Sequence, residues 1–324
     1  MGNGRNHGYS IGVDIGGTKI NIGLIGMDGD VVAKNRINTD PEKGYEHIIN
    51  NISNRIAKML EAERIPLSKV RSVGFGVPGT TDPKNGKVVF APNIGWRDLP
   101  FLELINKRLD IESYIGQDTQ AAALAELLFG SGRGCENIVC ITLGTGVGCG
   151  IIINKKIYRG GLNTSGELGH TIVKPKGEKC NCGRQGCLEA YASGPAIVRR
   201  AKKLVVNRKD HIRNELTTQN VFDMARNGNG SAKKIIGDAV EFLGMGLVNI
   251  LNILSPEKII ISGGMCKENE LLIEPVKRFV NDRGYPLAAG KVGIEIAKLG
   301  EDAPMIGAAM FFRDGQLSDN DDKG

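Results

Sequence analysis

Tyr9-Ser10-Ile11-Gly12-Val13-Asp14-Ile15-Gly16-Gly17-Thr18-Lys19-Ile20-Asn21-Ile22-Gly23-Leu24-Ile25 reads as a strand, a tight turn and a second strand. The first apolar run carries Asp14 near its end, Gly16-Gly17 breaks it, and residues 20–25 return with β-forming composition. Asp28-Gly29 is a strong hairpin turn, and residues 31–37 make the returning strand. The same plan recurs downstream. Ile138–Leu143 is an apolar strand, Gly144-Thr145-Gly146-Val147-Gly148-Cys149-Gly150 is the turn, and residues 151–153 are the next strand. Alternating glycines let the backbone approach a polyanion with no Cβ in the way, and turn N–H groups can face an anion. Taken alone, the Gly16-Gly17-Thr18 turn is equally well a plain hairpin. Neither is a Walker A loop, because the Gly-Lys-Ser/Thr ending is missing. Nor is the second a dinucleotide fingerprint, because Cys149 stands at the third glycine position and a hairpin, not a helix, follows. The two are related units of strand, glycine-rich turn and strand, and 324 residues are long enough for two domains.

Between and after them the pattern alternates. Ile48, Ile52, Ile56 and Met59 recur at helical spacing within residues 43–63, and Pro66 ends that helix. A strand over 70–77 then gives strand, helix, strand, a right-handed crossover. Asn93 lies in the turn-rich loop Ala91-Pro92-Asn93-Ile94-Gly95-Trp96, where an Asx turn explains it without function. Helices are expected over 101–109 and 121–128; Asp118 falls at the junction of a strand with the second, the place of an N-cap. Further helices are expected over 195–206, 220–226, 231–254 and 303–312, and strands over 258–262 and 292–298. Gly263-Gly264 ends one strand ahead of a helix from residue 269, a junction suited to close packing of a base or ribose. Residues 1–7 and 314–324 read as disordered tails, and His211 as a surface residue in a polar connection.

The chain has 324 residues, 42 Lys and Arg against 36 Asp and Glu, and a formal net charge of +6. The basic residues are scattered, so a solvated surface is favoured over a nucleic-acid partner. No secretory leader opens the chain, and no apolar run approaches the ~18 residues of a membrane span. Seven cysteines without a leader point to a reducing cytoplasm, where clustered cysteines hold metal more often than disulfides. Cys135, Cys140, Cys149 and Cys266 read as core or loop residues.

The other three cysteines cluster. Glu167-Leu168-Gly169-His170 is followed by Cys180-Asn181-Cys182-Gly183-Arg184-Gln185-Gly186-Cys187-Leu188-Glu189. His170, Cys180, Cys182 and Cys187 supply the four ligands of a closed structural Zn²⁺ site, and Gly183 and Gly186 allow the tight turns between them. The rival reading is three free or paired cysteines beside an unrelated histidine.

This Glu-x-Gly-His and C-x-C-G-x-x-G-C-x-E pattern resembles the signature of the ROK family of sugar kinases and sugar-responsive repressors. Within that family the chain resembles bacterial ATP-dependent glucokinases, over residues from about 9 to about 312. The resemblance implies a two-domain actin–hexokinase-like (ribonuclease H-like) α/β fold with the ligand cleft between domains. The small domain is expected over 8–117 plus 303–313, and the large domain over 118–302. It further implies ATP, Mg²⁺ and structural Zn²⁺ as cofactors, and phosphorylation of a hexose, glucose first, at O6. Asp118 would be the general base. Asn93, Gln117, Glu167, His170 and Glu189 would hold the sugar, with His170 also on zinc. Asp14, Gly16, Gly17, Thr18 and Lys19, with Gly144, Thr145 and Gly146, would face the phosphates and Mg²⁺; Gly263 and Gly264 would face adenosine. The family also implies a homo-oligomer, dimer or tetramer, while the scattered charge and the lack of a span-length apolar run argue for no nucleic-acid and no membrane partner.

One departure stands out. Glucokinases of this family usually have Asn immediately before the catalytic Asp and two residues after it; this chain has Gln117 and Gln120. That leaves the base intact and opens the identity of the sugar: N-acetylmannosamine, fructose and allose remain alternatives. A sugar-sensing regulator is the rival class, for which the roughly eight residues before the first strand are too few to form a helix-turn-helix. Glu167 and Glu189 as a glycosidase pair would leave both glycine-rich hairpins unexplained.

Overall fold

The computed structural model describes residues 8–205 and 216–314; the expected tails at 1–7 and 315–324 and His211 lie outside them. In chain order the elements are β1 (Tyr9–Ile15), β2 (Lys19–Gly26), β3 (Val31–Asn38), α1 (Tyr45–Ala62), β4 (Val70–Val77), β5 (Thr80–Asp82), β6 (Lys87–Ala91), β7 (Trp96–Leu99), α2 (Phe101–Asn106), β8 (Ser113–Gln117) and α3 (Asp118–Phe129). There follow β9 (Ile138–Leu143), β10 (Val147–Ile153), β11 (Lys156–Ile157), α4 (Glu189–Ala192), α5 (Gly194–Val205), α6 (Thr218–Arg226), α7 (Gly230–Leu254), β12 (Lys258–Ser262), α8 (Glu274–Arg283), β13 (Gly293–Ile296) and α9 (Ala303–Ala309). Two five-stranded sheets have the orders β3-β2-β1-β4-β8 and β11-β10-β9-β12-β13, and β5-β6-β7 form a small third sheet. β5 and β7 were not foreseen: three and four residues are too short for a pattern to declare itself.

The chain resolves into two compact units. Among the described residues one comprises 8–138, 150–165 and 298–314, the other 139–149 and 166–297. This grouping differs from a boundary at 117/118, because α3 goes with the first unit.

In the first unit β1 runs antiparallel to β2 and parallel to β4, which runs parallel to β8. Ile11, Val13 and Ile15 point to one face, where they join Ile48, Ile52, Ile56 and Met59 of α1 in a buried core. The helical stripe read from the sequence is therefore the buried stripe, extended by Ile49. Strand side chains alternate, so Gly12 and Asp14 point to the opposite face. α9 lies there almost on the backbone. A Cβ on Gly12 would sit 1.8 Å from the Met305 carbonyl oxygen, one on Gly74 1.8 Å from that of Ala308, and one on Gly307 1.7 Å from that of Ala121 in α3. Glu126, fully buried at the end of α3, accepts the N–H groups of Ser131 (2.8 Å), Lys298 (3.2 Å) and Leu299 (2.8 Å). Its carboxylate thus ties the end of α3 to the segment leading into α9.

The second unit is built around α7, which packs against α4, α5, α6 and α8. Glycines make these contacts close: a Cβ on Gly244 would meet the Phe279 ring at 2.4 Å, and one on Gly284 would meet Leu251 at 2.8 Å. The sequence reading of no span-length apolar segment needs correction here. α7 has 25 residues, and by length and composition it is long and apolar enough to cross a membrane. Half of its most apolar stretch is buried among the other helices, the setting of a core helix.

Candidate active site

In the first unit the turn after β1 is closed by the Gly16 N–H on the Lys19 carbonyl at 2.9 Å, and Thr39 braces it by donating to the Gly16 carbonyl at 2.7 Å. Gly17 is half-buried, while Thr18 and Lys19 are exposed; the Lys19 ammonium bonds the Asn38 side-chain oxygen. Asp14, beside this turn, accepts from Asn21 Nδ2 at 3.0 Å, and Asn21 Oδ1 accepts from Arg36 Nε at 2.8 Å. The three residues are register partners across β1, β2 and β3. Burial pushes the Asp14 carboxyl above the usual range, while the Asn21 hydrogen bond, Arg36 and Lys34 hold it down.

Asn93 sits in a 3-10 turn, Pro92–Ile94, closed by Gly95 at φ +71°. It is exposed, and no Asx turn occupies it: its amide makes no hydrogen bond among the described residues. Its Cβ and carbonyl oxygen lie 3.7 Å from where a Cβ on Gly17 would be, so the first glycine turn and the Asn93 turn are neighbours.

β8 runs directly into α3. The N-cap is Gln117, and Asp118 is the first helical residue. Asp118 is half-buried and Oδ1 accepts the Thr119 N–H at 2.7 Å. Gln117 and Gln120 are 5% and 2% exposed. They act as a pair: Gln120 Nε2 donates to Gln117 Oε1 at 3.1 Å, and the Gln117 N–H reaches Gln120 Oε1 at 3.5 Å. The two departures from the family pattern thus compensate each other locally as a capping box.

In the second unit the turn between β9 and β10 is closed by the Gly144 N–H on the Gly146 carbonyl at 3.0 Å. Glu189 underlies it, its Oε2 accepting the Val147 N–H at 3.1 Å; a Cβ on Gly146 would fall 2.6 Å from that oxygen. Glu167 is exposed, with Oε2 3.8 Å from His170 Nε2. Partial burial and the neighbouring Glu189 carboxylate raise the Glu167 carboxyl against the pull of His170.

His170, Cys180, Cys182 and Cys187 bring four ligand atoms within 4.8 Å of one another. Cys180 Sγ is 3.7 Å from His170 Nδ1, and Cys182 Sγ is 3.6 Å from Cys187 Sγ. A Zn²⁺ tetrahedron with its usual bond lengths has ligand–ligand edges of roughly 3.5–3.8 Å. The set therefore fits that ion, with Nδ1 as the histidine donor. Cys180, Cys182 and Cys187 form no disulfide in this structure. Gly186, at φ +81°, is held by space as well as angle: a Cβ there would lie 1.9 Å from the Lys174 carbonyl oxygen. Tyr191 and Phe242 back the loop, their rings 4.3 Å apart.

A cleft of about 440 Å³ opens beside Gly144 and Thr145. Pro195, Val198 and Phe222 give it an apolar wall, and Gly264 and Met265 close one side. Gly263, at φ +99°, allows that approach, since a Cβ there would fall 2.2 Å from the Leu143 carbonyl oxygen. Thr217, Thr218, Gln219 and Glu268 supply the polar groups. The volume suits a nucleoside or similar ligand. The sequence reading found Gly144 and Gly264 of this cleft and missed Gly194, as well as Gln219 and Glu268, which lie 49 residues apart and meet only in the fold.

Two α/β units, each with a glycine-rich hairpin, a strand-end carboxylate in one and a nucleoside-sized cleft in the other define the actin-like sugar-kinase class. The chain belongs to the ROK family, whose model matches residues 10–315. It is 34% identical over 313 residues to a glucokinase of Halalkalibacterium halodurans, covering 94% of this chain and 95% of that one. It is 30% identical over 317 residues to a xylose repressor of Caldicellulosiruptor bescii, covering 95% of this chain and 79% of that one. Among solved structures it matches a ROK family glucokinase from Streptomyces griseus in complex with glucose and AMPPNP, with a TM-score of 0.78, 34% identity and coverage of 94% and 98%.

Proposed function

We propose that the chain is an ATP-dependent hexose kinase that phosphorylates glucose at O6. The observation that carries this reading is the likeness to glucokinases over 94% of the chain, one of them solved with glucose and AMPPNP. Phosphoryl transfer to an alcohol needs an aligned hydroxyl, neutralised phosphates and a group to accept the proton. Asp118, at the start of α3, accepts the proton from O6 as that oxygen attacks the γ-phosphorus. The Gly16-Gly17-Thr18 and Gly144-Thr145-Gly146 turns offer N–H groups to phosphate oxygens, with Lys19 nearby. Asp14 faces Mg²⁺, directly or through water; the ion supplies neutralisation of phosphate charge. The cleft walled by Phe222 and Met265 takes adenosine, with Gly263 and Gly264 beneath it.

Asn93, Gln117, Glu167, His170 and Glu189 hold sugar hydroxyls. His170 Nδ1 and the three cysteines would hold Zn²⁺, which would leave Nε2 as the protonated nitrogen and so fix the tautomer. Four protein ligands leave no open position on the ion, so its role is structural. A homo-oligomer working in the cytoplasm is part of the same reading; sedimentation velocity gives the state.

The xylose repressor likeness favours a second reading, a sugar-responsive regulator. ADP release across glucose, mannose, N-acetylmannosamine, fructose and allose, with a sugar-free blank, separates the two. A dominant glucose signal supports the glucokinase. A larger signal with another sugar keeps the kinase and moves the substrate, with Gln117 the first residue to exchange. Sugar binding with no turnover on any sugar rejects the kinase in favour of the regulator.

A further inference from the structure

Gln219, Asp223, Arg226 and Glu268 form a closed ring of hydrogen bonds beside the cleft. Gln219 Nε2 donates to Glu268 Oε1 at 2.9 Å and to Asp223 Oδ1 at 3.2 Å. Arg226 NH2 donates to Glu268 Oε2 at 2.6 Å, and Arg226 NH1 to Asp223 Oδ1 at 2.6 Å. Glu268 is 6% exposed and lines the cleft together with Gln219. An amide usually turns over freely to suit its partner, because its oxygen and nitrogen are nearly interchangeable in shape. Here it cannot. Turning it would set Oε1 against two carboxylates that accept only. Oε1 makes no hydrogen bond among the described residues.

We infer that Gln219 is a base-specificity residue, held by Glu268 and Asp223 so that its carbonyl accepts from the 6-amino group of the donor nucleotide. The inference rests on the kinase reading only in taking this cleft as the nucleotide's. A 6-amino purine presents a donor to Gln219 Oε1 at that position, whereas a 6-oxo purine presents an acceptor there and sets oxygen against oxygen. A site made to pair with one group discriminates against an analogue that sets a like atom against it. The ring therefore selects ATP over ITP and GTP, and the selection lies in nucleotide binding.

The test is kcat/KM with ATP and with ITP, glucose saturating, for the wild type, Gln219→Ala and Glu268→Gln. ITP differs from ATP at the 6-position and the adjoining ring proton. The wild type is expected to favour ATP by roughly tenfold or more. Gln219→Ala should cut that ratio several-fold through the KM for ATP; the residue is exposed, so the variant folds. Glu268→Gln replaces one of the two acceptor-only groups holding the Gln219 amide by one that can also donate, which weakens the hold on its orientation and should raise use of ITP. A wild type indifferent to the two donors, or a Gln219→Ala ratio equal to wild type, overturns the inference. If no donor supports turnover, the kinase reading fails first, and calorimetric titration with ADP and IDP tests the ring itself. A preference for ADP that Gln219→Ala abolishes sustains it, and equal binding rejects it.

Discussion

At the scale of single residues, the proposed chemistry rests on Asp118. Its position is set by the backbone: Gln117 caps α3, so the next side chain leaves the end of β8 at the first turn of the helix. Asp118→Asn keeps the size and removes the proton acceptor. It should lower kcat by roughly 10²–10⁴-fold while glucose affinity by calorimetry and zinc content stay near wild type; loss of glucose binding as well would argue for a binding role instead. Gln117 shows how a residue's reading changes on folding. In sequence it was a lengthened substitute for asparagine with an open effect on the sugar. In the fold its carbonyl is engaged by Gln120, so Gln117 can offer a sugar chiefly its N–H groups.

At the scale of elements, the first unit depends on backbones meeting with no side chain between them. Gly307 puts α9 against α3, and Gly12 and Gly74 put it against the sheet. Gly307→Ala would drive a methyl to 1.7 Å from the Ala121 carbonyl oxygen, and neither helix can move without disturbing the other contacts. The expected cost is about 3 kcal/mol, at the upper end for overpacking. Gly237, in α7, is the control: a Cβ there meets nothing within 4 Å. Gly237→Ala should be neutral or stabilising by roughly 0.5–1 kcal/mol, since alanine loses less freedom on folding. Urea unfolding of the two variants measures both; equal effects would refute the seam.

At the scale of the molecule, the proposed zinc site would make the cysteine loop a link between folding and function. His170, Cys180, Cys182 and Cys187 come from 18 residues of chain that contain little regular structure, an arrangement that a bound ion can hold. Elemental analysis should give about one zinc per chain. Cys182→Ser should lose most of it and raise the KM for glucose more than it lowers kcat, because His170 and the nearby Glu167 lose their setting. A zinc-free protein that is fully folded and active would reject the site.

The sequence by itself determined the local features. The two glycine-rich hairpins, the stripe Ile48, Ile52, Ile56 and Met59 of α1, strand β12 and the Cys₃His cluster were legible because each is written in neighbouring residues with a fixed period or spacing. Element ends were less so: α3 begins at Asp118, three residues before the alanine-rich run that announced it, because its start is fixed by the side-chain pair Gln117 and Gln120. The tertiary structure decided the rest. The grouping of α3 with the first unit depends on Gly307 and Glu126, whose contacts lie more than 170 residues away along the chain. The assignment of α7 to a core instead of a membrane depends on the helices packed around it. The ring of Gln219, Asp223, Arg226 and Glu268 could not be read from any one segment, since a hydrogen bond between groups 49 residues apart leaves no periodic mark. Short-range order is set by the backbone preferences of adjacent residues, whereas these contacts exist only once burial has brought distant segments together.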